Sequence, residues 1–411
     1  MSTASQNSPT GSVPYYVVAL AMALPAIMLG LQISGWIFFM PGAMQGHADF
    51  RQLYAAGYMV RTGHSHELFD YASQKHFQDM VVSPEQIALP FIRPAYQALV
   101  FVPFSLVPYR VAYFLFLALN IVLFGFSFSL LRSFFSNLAT IWDRFPEAMY
   151  ISFLPAGAAL MQGQDSILLL LLLSGAWVQL NRKSLFSAGI LLGSCLFKFQ
   201  IAIPIAILLL CWKHWRLFLG FVLTASVLAG VSVWMTGTAQ AQIYLRSIFH
   251  IGSGMRGTGN ELHYPQPMHL MMNLHALLYA LMHGHAQPLT ISVVTIVTTA
   301  TLFLWIVWAG RARVVHEQFL IAVASAVLFS YYIFVHDLVV LEIPLLIALN
   351  HTIFSLWGSP TARRLLPAVC VVLFAAPTLV VTKAYLLSLP LALFIYLLLS
   401  CEIPLGDPAH P

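Results

Sequence analysis

Long apolar runs separated by short polar clusters occupy almost the whole chain. Reading them against the charged breaks gives windows near 13–39, 109–131, 145–161, 166–180, 216–235, 289–309, 317–335, 338–355, 365–382 and 385–400. Most approach the ~20 apolar residues with which a helix crosses a hydrocarbon core of about 30 Å. The first is longer than needed, and a tilt absorbs the excess. One stretch does not fit the pattern. Residues 185–212 lie between the basic flanks Asn181-Arg182-Lys183 and Trp212-Lys213-His214-Trp215-Arg216, with Lys198-Phe199-Gln200 in the middle. If both flanks lie on one side, the chain goes up and comes back within this stretch, as two short or broken helices meeting at Lys198. Irregular backbone at such a turn is tolerated only where protein buries it or it lines a watery cavity.

Composition agrees with this pattern. The 411 residues are 60% hydrophobic and 8% charged, with a mean hydropathy of +0.83, where a soluble domain carries roughly a quarter charged residues. The fold class is therefore an all-α polytopic membrane protein, with roughly 11–13 helices at ~20 residues per crossing. A net charge of +5 would suggest nucleic acid in a soluble chain. Here the basic residues sit in short loops, so they report orientation and no nucleic-acid partner is expected.

With the N-terminus inside, Arg132, Arg144, Arg182, Lys183, Lys213, Arg216, Arg311, Arg313, Arg363 and Arg364 all fall on the cytoplasmic side, ten of the 19 basic residues. The other face receives the long polar loops 40–93 and 236–288, expected to carry short amphipathic helices, together with the turns Gln162-Gly163-Gln164-Asp165 and His336-Asp337. Function belongs on that face. Residues 1–12 are read as a disordered cytoplasmic start without the basic region or cleavage site of a secretory signal. Residues 13–402 form one membrane domain and 403–411 a cytoplasmic tail. The four cysteines lie in or beside apolar segments without a CxxC pair and read as small apolar fillers.

Few residues can carry chemistry. Asp49 follows the first span, in Gly46-His47-Ala48-Asp49-Phe50-Arg51-Gln52-Leu53-Tyr54, and is either an ordinary interfacial polar group or a reactive carboxylate. Glu67 and Asp70 in the same loop read as capping or surface groups. A lysine at membrane depth, such as Lys198, costs about 2.5–3.5 kcal/mol, so it either snorkels to the interface or meets a counter-charge or a cavity. His336-Asp337, with Glu342 about a turn below, is too polar for lipid exposure. The pair either faces a central cavity or forms a satisfied turn with an aspartate cap, and Asp165 has the same two readings. His64-x-His66 and His283-x-His285 lack a carboxylate at helical spacing, so no metal is expected. Gly252 to Gly259 is glycine-rich but follows no strand, and reads as a mobile flap over the site.

The run Asp49-Phe50-x-x-x-Tyr54-x-Ala56-Gly57, then Gly63, Leu68-Phe69-Asp70-Tyr71 and a proline-led segment after Phe91-Ile92-Arg93-Pro94, resembles the opening of the polyprenol-phosphate-mannose-dependent mannosyltransferases. These form the family 87 branch of the GT-C glycosyltransferases. Gln162-Gly163-Gln164-Asp165-Ser166 is similar to the family's Gly-Gln turn, Gly189 through Lys198-Phe199-Gln200 to its Gly…Lys-Pro-Gln segment, and Tyr331-x4-His336-Asp337-Leu338 to its late Asp-Leu turn. Two departures stand out: Arg93 replaces a proline, and Phe199 replaces the proline after the lysine. The resemblance covers about 40–350 and implies a GT-C-type bundle with its active site on the extracytoplasmic face of a bacterial inner membrane. It implies a hexose, mannose above others, carried on a polyprenyl phosphate, and a glycolipid, polysaccharide or protein acceptor. No cofactor or metal is implied.

On this resemblance Asp49 matches the catalytic aspartate. Sugar transfer from a lipid phosphate has a weakly basic leaving group and needs no general acid, unlike glycoside hydrolysis with its carboxylate pair. One base that deprotonates the acceptor hydroxyl suffices, and inversion follows. Lys198 and His336, with Arg93 or Arg256, are the candidates for holding the donor phosphate, and Arg246 is a weaker one. Tyr54, Gln164, Asp165 and Asp337 are assigned to the acceptor or sugar pocket. Two rivals from other classes are a secondary transporter, which usually shows paired broken helices, and a non-catalytic flippase or assembly subunit, which would not require Asp49.

Overall fold

The structure, a computed structural model, describes residues 15–251, 267–352, 361–379 and 381–401. Every regular element among them is helical. Helix α1 (Tyr15–Gln45) has 31 residues, or roughly 46 Å at 1.5 Å per residue. That exceeds the hydrocarbon thickness, so its last turns lift the following segment clear of the lipid core. The first polar loop then carries α2 (Phe50–Arg61) and α3 (Tyr71–Val81), two short helices of the expected kind. Asp70 caps α3, accepting from the Ser73 amide at 2.8 Å.

Helix α4 (Tyr109–Leu131) returns to the end where the basic clusters lie. The window expected as one span at 145–161 is two helices, α5 (Phe145–Ser152) and α6 (Leu154–Gln162), broken at Phe153 with ψ 112°. Pro155 accounts for the break: it lacks the N–H that would continue the ladder but fits the first turn of a new helix. Helix α7 (Ser166–Asn181) runs back. The ambiguous stretch follows as α8 (Leu185–Ser194), a 3₁₀ turn at Cys195–Lys198 and α9 (Phe199–Cys211), and then comes α10 (Trp215–Ile251).

Close contacts fix the direction of these three helices. Gly189 lies against Leu217 and Phe221, and Gly193 against Phe221 and Thr224, in ascending order on both. Helices α8 and α10 are therefore parallel and start from the same end, and α9 between them must run back. The stretch is a hairpin with Lys198 at its apex, as its basic flanks suggest. Helix α10 is interrupted at Gly237, whose φ of 80° suits glycine. Just beyond that break Gln240 Oε1 accepts from the Phe69 amide at 3.1 Å, and just before it the Met235 carbonyl accepts from Ser65 Oγ at 2.8 Å. The two long loops thus meet.

The remainder is α11 (Leu274–Met282), α12 (Pro288–Gly310), α13 (Val315–Phe329), a 3₁₀ segment at Val335–Leu341 leading into α14 (Glu342–Thr352), α15 (Thr361–Leu379), a 3₁₀ segment at Val381–Leu387 and α16 (Ser388–Ser400). Among the described residues seven segments are long and apolar enough to cross a membrane, and three shorter apolar helices accompany them. One of the seven, Leu185–Cys211, is the hairpin, so neither of its limbs crosses alone. Burial separates centre from periphery. The 335–352 segment is 89% buried, whereas that of α12 is 11% buried and presents its side chains outward, where only lipid tolerates so large an apolar surface. At the basic end Arg313 donates to the carbonyls of Cys401 and Leu399 at 3.0 and 2.5 Å, and Asn137 donates to the Asn350 carbonyl at 3.0 Å.

The glycine seam between α8 and α10 is two-sided. A methyl on Gly189 would land on the Leu217 carbonyl oxygen, and one on Gly220 on the Phe186 carbonyl oxygen. Gly189→Ala is expected to lower stability by about 1–3 kcal/mol through overpacking against backbone. Gly230→Ala, with nothing within 4 Å, serves as the neutral control. Thermal unfolding in detergent reads the difference, and equal midpoints would show that the seam is not tight.

Candidate functional site

Three turns at one end of the bundle converge on a buried polar cluster. The first is the corner between α1 and α2. Asp49 is the residue before α2 but makes no capping bond, so its carboxylate is left to face the other turns. Its backbone amide donates to Gln162 Oε1 at 3.1 Å. Phe50, the next residue, is fully buried among Tyr54, Phe101, Tyr109, Tyr113 and Phe116 and wedges the corner in place. Arg51 is also buried, with Nε on Gln78 Oε1 at 3.0 Å and Nη2 on Asp79 Oδ1 at 3.1 Å, which ties α2 to α3.

The second turn is Gln162-Gly163-Gln164-Asp165. Gly163 ends α6 in the left-handed region, with φ 60°, and a Cβ there would meet Phe50 Cβ at 2.7 Å, so the position favours glycine on both counts. The reversal aims Gln164 and Asp165 inward. The third turn is His336-Asp337, opposite the hairpin apex at Lys198.

Arg93, Asp165, Lys198 and Asp337 form a chain of ion pairs at 5, 1, 1 and 1% residue exposure. Arg93 grips Asp165 with both arms, Nε to Oδ2 at 3.0 Å and Nη2 to Oδ1 at 3.1 Å, the bidentate fork for which guanidinium is suited. Lys198 Nζ lies 2.7 Å from Asp337 Oδ1, 3.2 Å from Asp165 Oδ1 and 3.1 Å from Gln164 Oε1. It hydrogen-bonds Asp337 and Gln164 and forms a second ion pair with Asp165. Ser166 Oγ also donates to Asp337 Oδ1, at 2.9 Å. Burial alone would push the Asp165 carboxyl up, but Arg93 and Lys198 beside it hold it below the usual carboxylate range.

Gln164 links this chain to Asp49. Its Oε1 faces both cations, at 3.0 Å from Arg93 Nη2 and 3.1 Å from Lys198 Nζ, so its amide nitrogen must point the other way. There Nε2 donates to Asp49 Oδ2 at 2.7 Å. His336 closes the arrangement, with Nδ1 3.9 Å from Asp49 Oδ2 and Nε2 3.5 Å from Asp337 Oδ2. The side chain of Asp49 is 25% exposed, against 8% for His336 and 1–2% for Asp165 and Asp337. Among the described residues no partner engages its Oδ1.

A family model described as glycosyltransferase family 87 matches residues 91–331, more than half of the chain. The chain belongs to glycosyltransferase family 87. It is thus a membrane glycosyltransferase, which sets the transporter reading aside. The match includes Arg93, Gln164, Asp165 and Lys198 and stops short of Asp49, His336 and Asp337, which the fold adds to them. No match was found among curated proteins or among solved structures.

Most residues singled out in the sequence of this transferase meet here: Asp49, Arg93, Gln164, Asp165, Lys198, His336 and Asp337. Tyr54 does not. It is packed in the aromatic cluster under α2, with its hydroxyl donating to the Val107 carbonyl at 2.8 Å. Arg256 and the glycine-rich run 252–259 lie outside the described residues. Glu342 is 1% exposed with neither oxygen partnered among the described residues, and it does not join the cluster. Sequence reasoning did not assign roles to Gln162, Ser166 and Arg51. Gln162 opens the turn already singled out and Ser166 follows it, and an arginine two residues after Asp49 was the signal for the third.

The pairing changes what a lysine substitution should do. In Lys198→Met two buried carboxylates lose their shared cation, and breaking a buried pair costs about 3–5 kcal/mol. Thermal unfolding of the variant is expected to show that loss, partly recovered in Lys198→Met/Asp337→Asn. A fully stable single variant would mean that the pairing contributes little.

Proposed function

We propose that the transferase moves a hexose, most plainly mannose, from a polyprenyl phosphate to an acceptor hydroxyl with inversion, and that Asp49 is the general base. The observation that carries this reading is the contrast within the cluster. Asp165 and Asp337 are buried and paired with cations, whereas Asp49 is oriented by Gln164, reaches the surface and has an uncommitted oxygen. A base must be held firmly and still reach its substrate.

In this reading the acceptor oxygen attacks the anomeric carbon as its proton passes to Asp49 Oδ1, and the bond from that carbon to the phosphate oxygen breaks. The electron pair leaves with the polyprenyl phosphate. His336, beside Asp49, is placed to contact the donor phosphate and stabilise charge developing on the leaving oxygen. Arg93 and Lys198 have a revised part. The Nε and Nη2 of Arg93 and the ammonium of Lys198 already face Asp165, Asp337 and Gln164, so in this reading they act chiefly as the scaffold that orients Asp49, and His336 and cations such as Arg256 are left to meet the phosphate. Asp165 and Asp337 belong to the same scaffold, and Gln164 and the outer oxygen of Asp49 border the acceptor pocket.

The distribution of basic residues supports the side of action. The arginine and lysine clusters gather at the end opposite Asp49, which by the positive-inside tendency is cytoplasmic, so in this reading the active site is extracytoplasmic; the family resemblance, not the charge, suggests a bacterial inner membrane. The acceptor is a glycolipid, a polysaccharide or a protein hydroxyl.

Asp49→Asn keeps the shape and the Gln164 contact while removing the base. Transfer from a polyprenyl-phosphate mannose is expected to fall by about 10²–10⁴-fold, with binding of that donor within a few-fold of the parent. Unchanged transfer would exclude Asp49 as the base.

A further inference from the structure

Where α1 and α3 end and α4 begins, the surface carries an open pocket of about 530 Å³ that Asp49 does not line. Its walls are apolar at Met44, Val82 and Pro108 and polar at Arg110, Glu85 and His47. Arg110 is the second residue of α4 and exposed. Its Nε donates to the Met44 carbonyl at 3.3 Å, and among the described residues no carboxylate pairs with it. Glu85 sits in the loop beyond α3, held there by its amide bond to Asp79 Oδ1 at 3.1 Å. One carboxylate oxygen meets His47 Nε2 at 3.1 Å, and its side chain stays 36% exposed.

The position of each charge matters. The apolar segment of α4 begins at Tyr109, so Arg110 stands at its polar end, a position suited to lipid phosphate. One turn further in on the same face is Phe114, 50% exposed, and two turns before Met44 on α1 is Ile37, 69% exposed; both present apolar surface outward. Glu85 lies in the loop outside both helices. The pocket therefore sets a cation at the start of a membrane helix and an anion from a polar loop side by side, with exposed apolar side chains below the cation. A phospholipid with a primary amine presents the complementary set of acyl chains, phosphate and ammonium.

We propose that this pocket binds the headgroup of a bilayer phosphatidylethanolamine, with its phosphate on Arg110 and its ammonium on the outer oxygen of Glu85. A quaternary choline has no N–H to give Glu85, and a glycerol headgroup has no cation, so both satisfy only half of the site. Loss of one charge-assisted contact corresponds to roughly tenfold in affinity.

The test is native mass spectrometry of the full chain in detergent, titrated separately with dioleoyl phosphatidylethanolamine, phosphatidylcholine, phosphatidylglycerol and a polyprenyl phosphate. The parent is expected to retain the ethanolamine lipid about tenfold better than the other two phospholipids. Arg110→Gln should lose that retention, and Glu85→Gln should bring it down to the level of phosphatidylcholine. Arg110 is exposed and Glu85 half-buried, and unchanged thermal unfolding verifies that each variant is folded. Equal retention of the three phospholipids, or a preference that survives either substitution, overturns the proposal. So does a stronger retention of polyprenyl phosphate that disappears in Arg110→Gln, which would make the pocket a carrier site.

Discussion

Orientation of one side-chain amide by two cations is the constraint on which this site depends. A glutamine in water has no preferred end. Between Arg93 and Lys198 on one side and Asp49 on the other, Gln164 has one satisfactory orientation, because the reverse would set N–H against N–H and oxygen against carboxylate. The buried charges that enforce it are costly to desolvate, and they persist because each is paired more than once. Their net effect on stability is secondary to what they fix. They convert a flexible polar turn into a rigid support for a carboxylate that must stay accessible.

Much of this could be read from the residues. The spans, the basic end, the two long loops and the hairpin at 185–212 follow from apolar length and charge position, because a bilayer imposes both directly. The cluster was legible as a set of polar residues too costly for lipid. Its internal wiring was not. Arg93 stands where the family resemblance leads one to expect proline, and only the fold shows it gripping Asp165 across 72 positions of sequence. Tyr54 shares the Asp49 motif, yet its helical position turns it into the aromatic cluster. The break at Phe153 is hidden in a continuous apolar window, in which Pro155 is its one local signal.

The family match and the geometry reach the same place by different routes. The matched region supplies the hairpin lysine, the Gly-Gln turn and Arg93, while the first and last members of the cluster lie outside it and arrive through packing. Gly163 and Phe50 join the two routes, since the left-handed turn leaves room for the ring that anchors the Asp49 corner. The second half of α10, beyond Gly237, rests on the loop that follows this corner, so the neighbouring polar segments form one connected surface around it.

The hairpin also bears on how the chain enters the bilayer. Its limbs of 10 and 13 residues are too short to be held by hydrocarbon alone, and the ammonium at its apex has one carboxylate available from preceding sequence. The other, 139 positions later, has not yet been synthesised when the apex leaves the ribosome. Full pairing of the apex therefore waits for the final third of the polypeptide, and a nascent chain stalled before that point would leave a cationic tip without its full complement of counter-charge.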